Sequence, residues 1–188
     1  MRKLQTKHES GFTLIELMIS IAIAAILISV AAPSLTGSVQ NNRMVSQVNE
    51  LHASLSLARS EAIKRNNNIT ICKSSNGTAC AGNWQNGWIV FVDSDFDGSV
   101  DAADEILRVH GPLSGNNTLS FSQTQVIYAS SGIARGGSNG TFTLCDSRGA
   151  THAKGLVVGP SGRPRLALDS DGNGVLEDLG GTDLICSS

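Results

Sequence analysis

The sequence predicts an α+β fold, with one long N-terminal helix packed on an antiparallel β-sheet domain. Three observations predict it. An apolar block from Phe12 to Ala32 carries a single charge, Glu16. A stripe of Val48, Leu51, Leu55, Ala58 and Ala62 then recurs at three- and four-residue spacing, the period of a helix. From Ile69 onward the pattern changes to short β-rich runs separated by Gly, Asn and Ser clusters, where most of the 20 glycines fall. At 188 residues there is chain enough for one core and a tail. The 14 Lys+Arg against 16 Asp+Glu give a formal charge of −2, which as a bulk figure excludes a strongly basic nucleic-acid protein.

The first element is a leader, residues 1–11, in which Arg2, Lys3 and Lys7 outweigh Glu9. Basic residues there hold the N-terminus in the cytoplasm and send the rest of the chain across the membrane. Residues 12–33 follow as a membrane helix, since a helix of that length spans about the 30 Å of a bilayer core. A secretory signal peptide is the alternative, but the apolar run is long and no A-x-A cleavage pattern follows it. Pro33 stands just past the run, where it bends or ends the membrane part of the helix. A carboxylate inside such a helix is expensive and demands a partner.

Gly11-Phe12-Thr13-Leu14-Ile15-Glu16 resembles the processing site of type IV prepilins and pseudopilins. The resemblance implies that a prepilin peptidase cuts between Gly11 and Phe12 and methylates the new amine. It also implies that Glu16 pairs with the N-terminal amine of a neighbouring pilin in a filament. Residues 34–66 are the amphipathic continuation of the helix, which ends near Arg65. There Glu61 and Arg65 form an i,i+4 pair, and Asn66-Asn67-Asn68 stops the helix.

Residues 67–188 are read as the β-rich globular domain. Its strands are predicted at Ile69–Cys72, Trp88–Val92, Ile106–His110, Val126–Ala129, Thr141–Cys145, Leu156–Val158 and Arg165–Leu168. All four cysteines, Cys72, Cys80, Cys145 and Cys186, lie in this exported part and predict two disulfides, with three possible connectivities. The short Cys72–Cys80 bridge is the easiest, which leaves Cys145 with Cys186. Zinc is disfavoured because no C-x-x-C spacing or nearby His pair occurs. Trp84 and Trp88 flank an apolar strand and read as core packing, with base stacking as the alternative.

Two acidic loops carry cation-binding patterns. Asp93, Asp95, Asp97 and Asp101 occupy positions 1, 3, 5 and 9 of an EF-hand-like loop, with Gly98 at position 6 and Asp104 at position 12. A second copy begins Asp169, Asp171, Asn173, Gly174, but its position 12 is Gly180. No cofactor is required; calcium is the candidate cation, and a solvated hairpin turn is the alternative.

Between Ile106 and Leu168 six basic side chains face the single acid Asp146, a net of +5. The sharpest element is Gly159-Pro160-Ser161-Gly162-Arg163-Pro164-Arg165. Two arginines on a rigid turn can reach adjacent phosphates, with Lys154 and Arg148 as flanking contacts. The competing reading pairs the arginines with Asp169 or Asp171. Together with GWIVFVD, TFTLCDSRGA and KGLVVGPSGRPR, this stretch is similar to minor pilins of the FimT/FimU (GspH-like) class. The resemblance implies the type IV pilin fold, other pilins as partners, and passage from the inner membrane to a pilus. Its FimT branch carries a Gly-Arg-x-Arg motif, matched here by Gly162, Arg163 and Arg165, that implies DNA binding in natural transformation. The alternatives are a pilus-priming subunit without DNA binding and a pseudopilin of a type II secretion system. No nucleophile elbow, P-loop or metalloprotease helix points to an enzyme.

Overall fold

The structure is a computed structural model that describes residues 11–186, and of 30–34 the backbone only. The leader with Arg2, Lys3, Lys7 and Glu9, and the side chain of Pro33, lie outside the described residues. The chain divides into two compact units, one up to Val39 and one from Gln40.

Helix α1 runs from Leu14 to Arg65 as a single element, so the proline position does not end it. Thr13 caps it: its Oγ1 accepts the Glu16 N–H at 3.3 Å. The hydroxyls of Ser20 and Ser29 donate back to the carbonyls of Glu16 and Ile26, which satisfies polar groups within an apolar helix. Leu14, Ile15, Leu17, Met18 and Ile19 are all exposed, so this unit is apolar on every side. Among the described residues no helix is long and apolar enough to cross a membrane. The predicted span over 12–33 is described with side chains only from 12 to 29. Helix α1 carries the predicted span from Leu14 onward and continues without a break through residue 33.

In the second unit the helix buries Met44, Val48, Leu51, Leu55, Ala58 and Ala62, the predicted stripe extended by one residue. Asn66 takes a left-handed φ of 51° and Asn67 N–H donates to the Ala62 carbonyl at 3.3 Å, a C-terminal cap that asparagine tolerates. Glu61 accepts from Lys64 and Arg65, and Arg65 also reaches Glu105.

Nine strands follow among the described residues: β1 (Ile69–Lys73), β2 (Trp88–Val92), β3 (Glu105–His110), β4 (Thr118–Ser120), β5 (Gln125–Tyr128), β6 (Ala134–Arg135), β7 (Gly140–Cys145), β8 (Lys154–Val158) and β9 (Pro164–Leu166). They form two antiparallel sheets, ordered β3-β2-β1-β5-β6 and β4-β7-β8-β9. Strands β4 and β6 are additions to the seven predicted.

Period-two alternation gives each sheet two buried faces. Ile69, Ile71, Trp88 and Val90 of the first sheet and Phe142, Leu144, Leu156 and Val158 of the second join the helix stripe in one core. The outer face of the first sheet, with Cys72, Ile89 and Phe91, is covered by Cys80 and Val100. The outer face of the second, with Cys145, Val157 and Ala167, is covered by Leu184, Val175 and Leu176. The bridges Cys72–Cys80 and Cys145–Cys186 tie down these two covers. Each acidic loop thus belongs to a segment that closes the outside of one sheet.

Candidate nucleic-acid interface

The basic turn is the tip of the hairpin between β8 and β9, paired Val158↔Pro164 and Val157↔Arg165. β9 is an edge strand, where proline is tolerated at the first position. Gly162 N–H donates to the Gly159 carbonyl at 2.9 Å and closes the turn. Gly162 has φ +73°, and a Cβ there would lie 2.2 Å from the Gly132 carbonyl oxygen and 3.1 Å from the Ala134 nitrogen. Glycine is therefore required twice over, for its backbone angle and for its close approach to the turn between β5 and β6. The same Gly132 carbonyl accepts the Arg59 Nε–H at 2.9 Å, so the helix holds that turn in place.

Gly162→Ala is expected to lower the melting temperature of the full chain by several degrees. A left-handed non-glycine residue alone costs about 1–2 kcal/mol, before the clash with backbone is counted. An unchanged thermal melt, read by circular dichroism, would contradict the contact.

Arg163 stands just before β9 and Arg165 within it, two residues apart, and both are exposed. Neither has an ion pair or side-chain hydrogen bond among the described residues. The proposed aspartate partners are engaged within their own loop. Asp169 accepts the N–H groups of Gly172 and Gly174 at 2.7 and 2.9 Å, and Asp171 that of Asn173 at 3.0 Å. Pairing with Asp169 or Asp171 is therefore not what the structure holds. Lys154 opens β8, half-buried and without an ion pair among the described residues.

Arg148 differs from the sequence reading. Its Nε and Nη2 both donate to Asp146 Oδ2, at 2.9 and 2.6 Å, and its own N–H donates to Oδ1. Burial would raise the Asp146 carboxyl, but these bonds from Arg148 hold it below the ordinary carboxylate range. A guanidinium so held is not free for phosphate, which removes Arg148 from the contact set. Arg135 on β6, adjacent to Ala134, is exposed. Arg59 carries no sequence signal for this role, because its contact spans 73 residues.

Both indoles are buried, Trp84 at 3 % and Trp88 at 0 % exposure, so neither can stack on a base. Trp84 Nε1 donates to the Gln123 carbonyl at 3.1 Å and its ring meets Phe142 edge-on. Trp88 stacks on His110 at 3.8 Å, and His110 Nε2 lies 2.9 Å from Glu50.

In the first acidic loop the carboxylates of Asp93, Asp95 and Asp97 lie within 4.8 Å of one another. Asp101 and Asp104 stand outside that group, contrary to the five-ligand reading. Asp104 accepts the N–H groups of Ser94 and Asp101, and Asp101 that of Ala103, so both act as caps of the loop backbone. Asp93 is fully buried. Burial pushes its carboxyl above the ordinary range, opposed by the Thr70 hydroxyl and the nearby N–H groups of Gly98 and Phe96.

The second loop gathers Asp169, Asp171 and Glu177. Glu177, at loop position 9, joins this group in place of position 12, with its two oxygens accepting the N–H groups of Ser170 and Asp171. With no helix following, the chain turns back early, and Glu177 pairs with Asp183 in an isolated bridge.

A family model described as "Type II transport protein GspH" matches residues 47–182, and one described as "Prokaryotic N-terminal methylation motif" matches residues 6–32. Two crystal structures of the type IV minor pilin FimU from Pseudomonas aeruginosa strain PAO1 are similar in fold. In space group P21 the similarity has 24 % identity, covers 69 % of this chain and 91 % of that one, and gives a TM-score of 0.56. In space group P65 the values are 22 %, 66 %, 93 % and 0.53. No curated protein matches the chain.

Proposed function

The chain belongs to the GspH family, and from that premise we propose that it is a minor pilin of a type IV pilus that binds DNA without sequence preference and serves DNA uptake. The family and fold are those of structural filament subunits, minor pilins and pseudopilins, rather than enzymes. The N-terminal methylation motif accords with a chain anchored in the inner membrane and then drawn into a pilus.

One observation carries the DNA reading. Arg163 and Arg165 are exposed, free of ion pairs among the described residues, and set on a turn whose glycine is locked against backbone. Paired guanidiniums on a rigid support suit phosphate oxygens, and Arg135 and Lys154 add charge to the same domain. No helix is offered to a groove, so recognition is of the phosphate backbone.

The test is fluorescence anisotropy of a labelled random-sequence duplex with the full chain in detergent, from 50 to 300 mM salt. Binding that weakens steeply with salt supports the reading, and none at the lowest salt refutes it. The family description itself favours a second reading, a pseudopilin of a type II secretion system. That reading expects no DNA binding at any salt.

At the other end of the chain, Gly11 and Phe12 are the proposed cleavage site of a prepilin peptidase. Glu16 makes no side-chain hydrogen bond or ion pair among the described residues, which leaves it available to a neighbour's amine. Glu16→Ala is expected to be processed normally yet fail to enter the filament. Immunoblots of sheared pili against membranes check this, and wild-type amounts in the sheared fraction would refute the pairing.

A further inference from the structure

The geometry points to a calcium site in the loop between β2 and β3, with the carboxylates of Asp93, Asp95 and Asp97 as its protein ligands. Three carboxylate groups converge within 4.8 Å of one another, and like charges so close repel unless something lies between them. The decisive atom is Asp93 Oδ1. Asp93 is 0 % exposed; its Oδ2 accepts the Thr70 hydroxyl at 2.8 Å, but Oδ1 is buried with no hydrogen-bond partner, the N–H groups of Gly98 and Phe96 lying near the carboxyl without meeting Oδ1 in hydrogen-bond geometry. An ionised carboxylate oxygen accepts only, and leaving one buried without a donor is costly. Its neighbours in the cluster, Asp95 and Asp97, are acceptors too. What completes such a set is a cation.

Oxygen-only donors select a hard ion. Aspartates at positions 1, 3 and 5 around a glycine at position 6 suit the larger, more flexible shell of calcium over the strict octahedron of magnesium. The loop is also anchored as such a site requires. Val100, at position 8, packs on the sheet face formed by Cys72, Ile89 and Phe91. Asp93 itself is fixed by its N–H bond to the Asn68 carbonyl at 3.1 Å.

The second loop makes the contrast. There both oxygens of Asp169 and both of Glu177 already accept N–H groups, and no buried oxygen is left over among the described residues.

Isothermal titration of the full chain in detergent, stripped with EGTA and titrated with calcium chloride, tests the site. With three carboxylates the expected Kd is roughly 10⁻⁴–10⁻³ M, the range of extracellular modules. The double variant Asp95→Asn/Asp97→Asn alters only exposed side chains and should weaken binding at least tenfold, whereas Asp169→Asn should leave it unchanged. Calcium should also raise the melting temperature of the wild type and not that of the double variant. The proposal is overturned by a flat titration up to 10 mM calcium. It is equally overturned if binding is lost in Asp169→Asn alone, survives in the double variant, or is matched in strength by magnesium.

Discussion

Replacing Arg163 and Arg165 together by glutamine is expected to reduce DNA binding by more than tenfold at low salt and to flatten its salt dependence. Each phosphate neutralised contributes about 0.9 to the slope of log K against log salt, so losing two contacts removes nearly two units. Both side chains are exposed and have no ion pair among the described residues, so the melting temperature should stay that of the wild type. That separates the outcome from Gly162→Ala, which should lose binding and stability together. Arg148→Gln is the internal control. Because its guanidinium is bound twice to Asp146, it should change the melt and leave the salt slope alone. Equal binding by the double variant and the wild type would place the DNA contact elsewhere or nowhere.

The bulk charge of −2 is a poor guide to such a surface, because charge here is segregated along the chain. Eleven acids lie in the two loops Asp93–Glu105 and Asp169–Asp183, while the stretch between them is basic. That segregation is written in the order of residues and could be read from it. So could the helix stripe, since Val48 to Ala62 follow one period, and the strand cores, since β2 alternates Trp88, Val90 and Val92 against Ile89 and Phe91.

Where the reading fell short, the deciding interaction is tertiary. β6 is two residues long and β4 three; each exists because a neighbour, β5 or β7, supplies its hydrogen bonds. The Gly132–Gly162 contact joins residues with nothing local in common. Arg148 is the exception, since its partner Asp146 lies only two residues away and the pair is local. The loop template failed at its last ligand in both copies. Strands and bridges follow these loops, not helices, so the chain does not return to position 12 as a helix would bring it.

Removing the Cys145–Cys186 bridge is expected to be the most destabilising single lesion in the domain. The bridge closes 41 residues, against 8 for Cys72–Cys80. Loop-closure entropy then assigns about 4 kcal/mol to the first and about 2.5 kcal/mol to the second. For a chain of this size that corresponds to a fall in melting temperature of roughly 8–16 °C for Cys145→Ser/Cys186→Ser. The larger cost has a structural counterpart. The segment that the bridge ties down brings Leu184 onto Val157 and Ala167, and Gly155 has no side chain because a Cβ there would lie 2.5 Å from the Ala167 Cβ and 2.9 Å from Leu184 Cδ1. Released, that cover exposes the outer face of β8 and β9, the hairpin that carries Arg163 and Arg165. DNA affinity should therefore fall with the long bridge and hold with the short one, which covers the opposite sheet. A larger drop in melting temperature for Cys72→Ser/Cys80→Ser would show that loop length does not govern the stability of this domain.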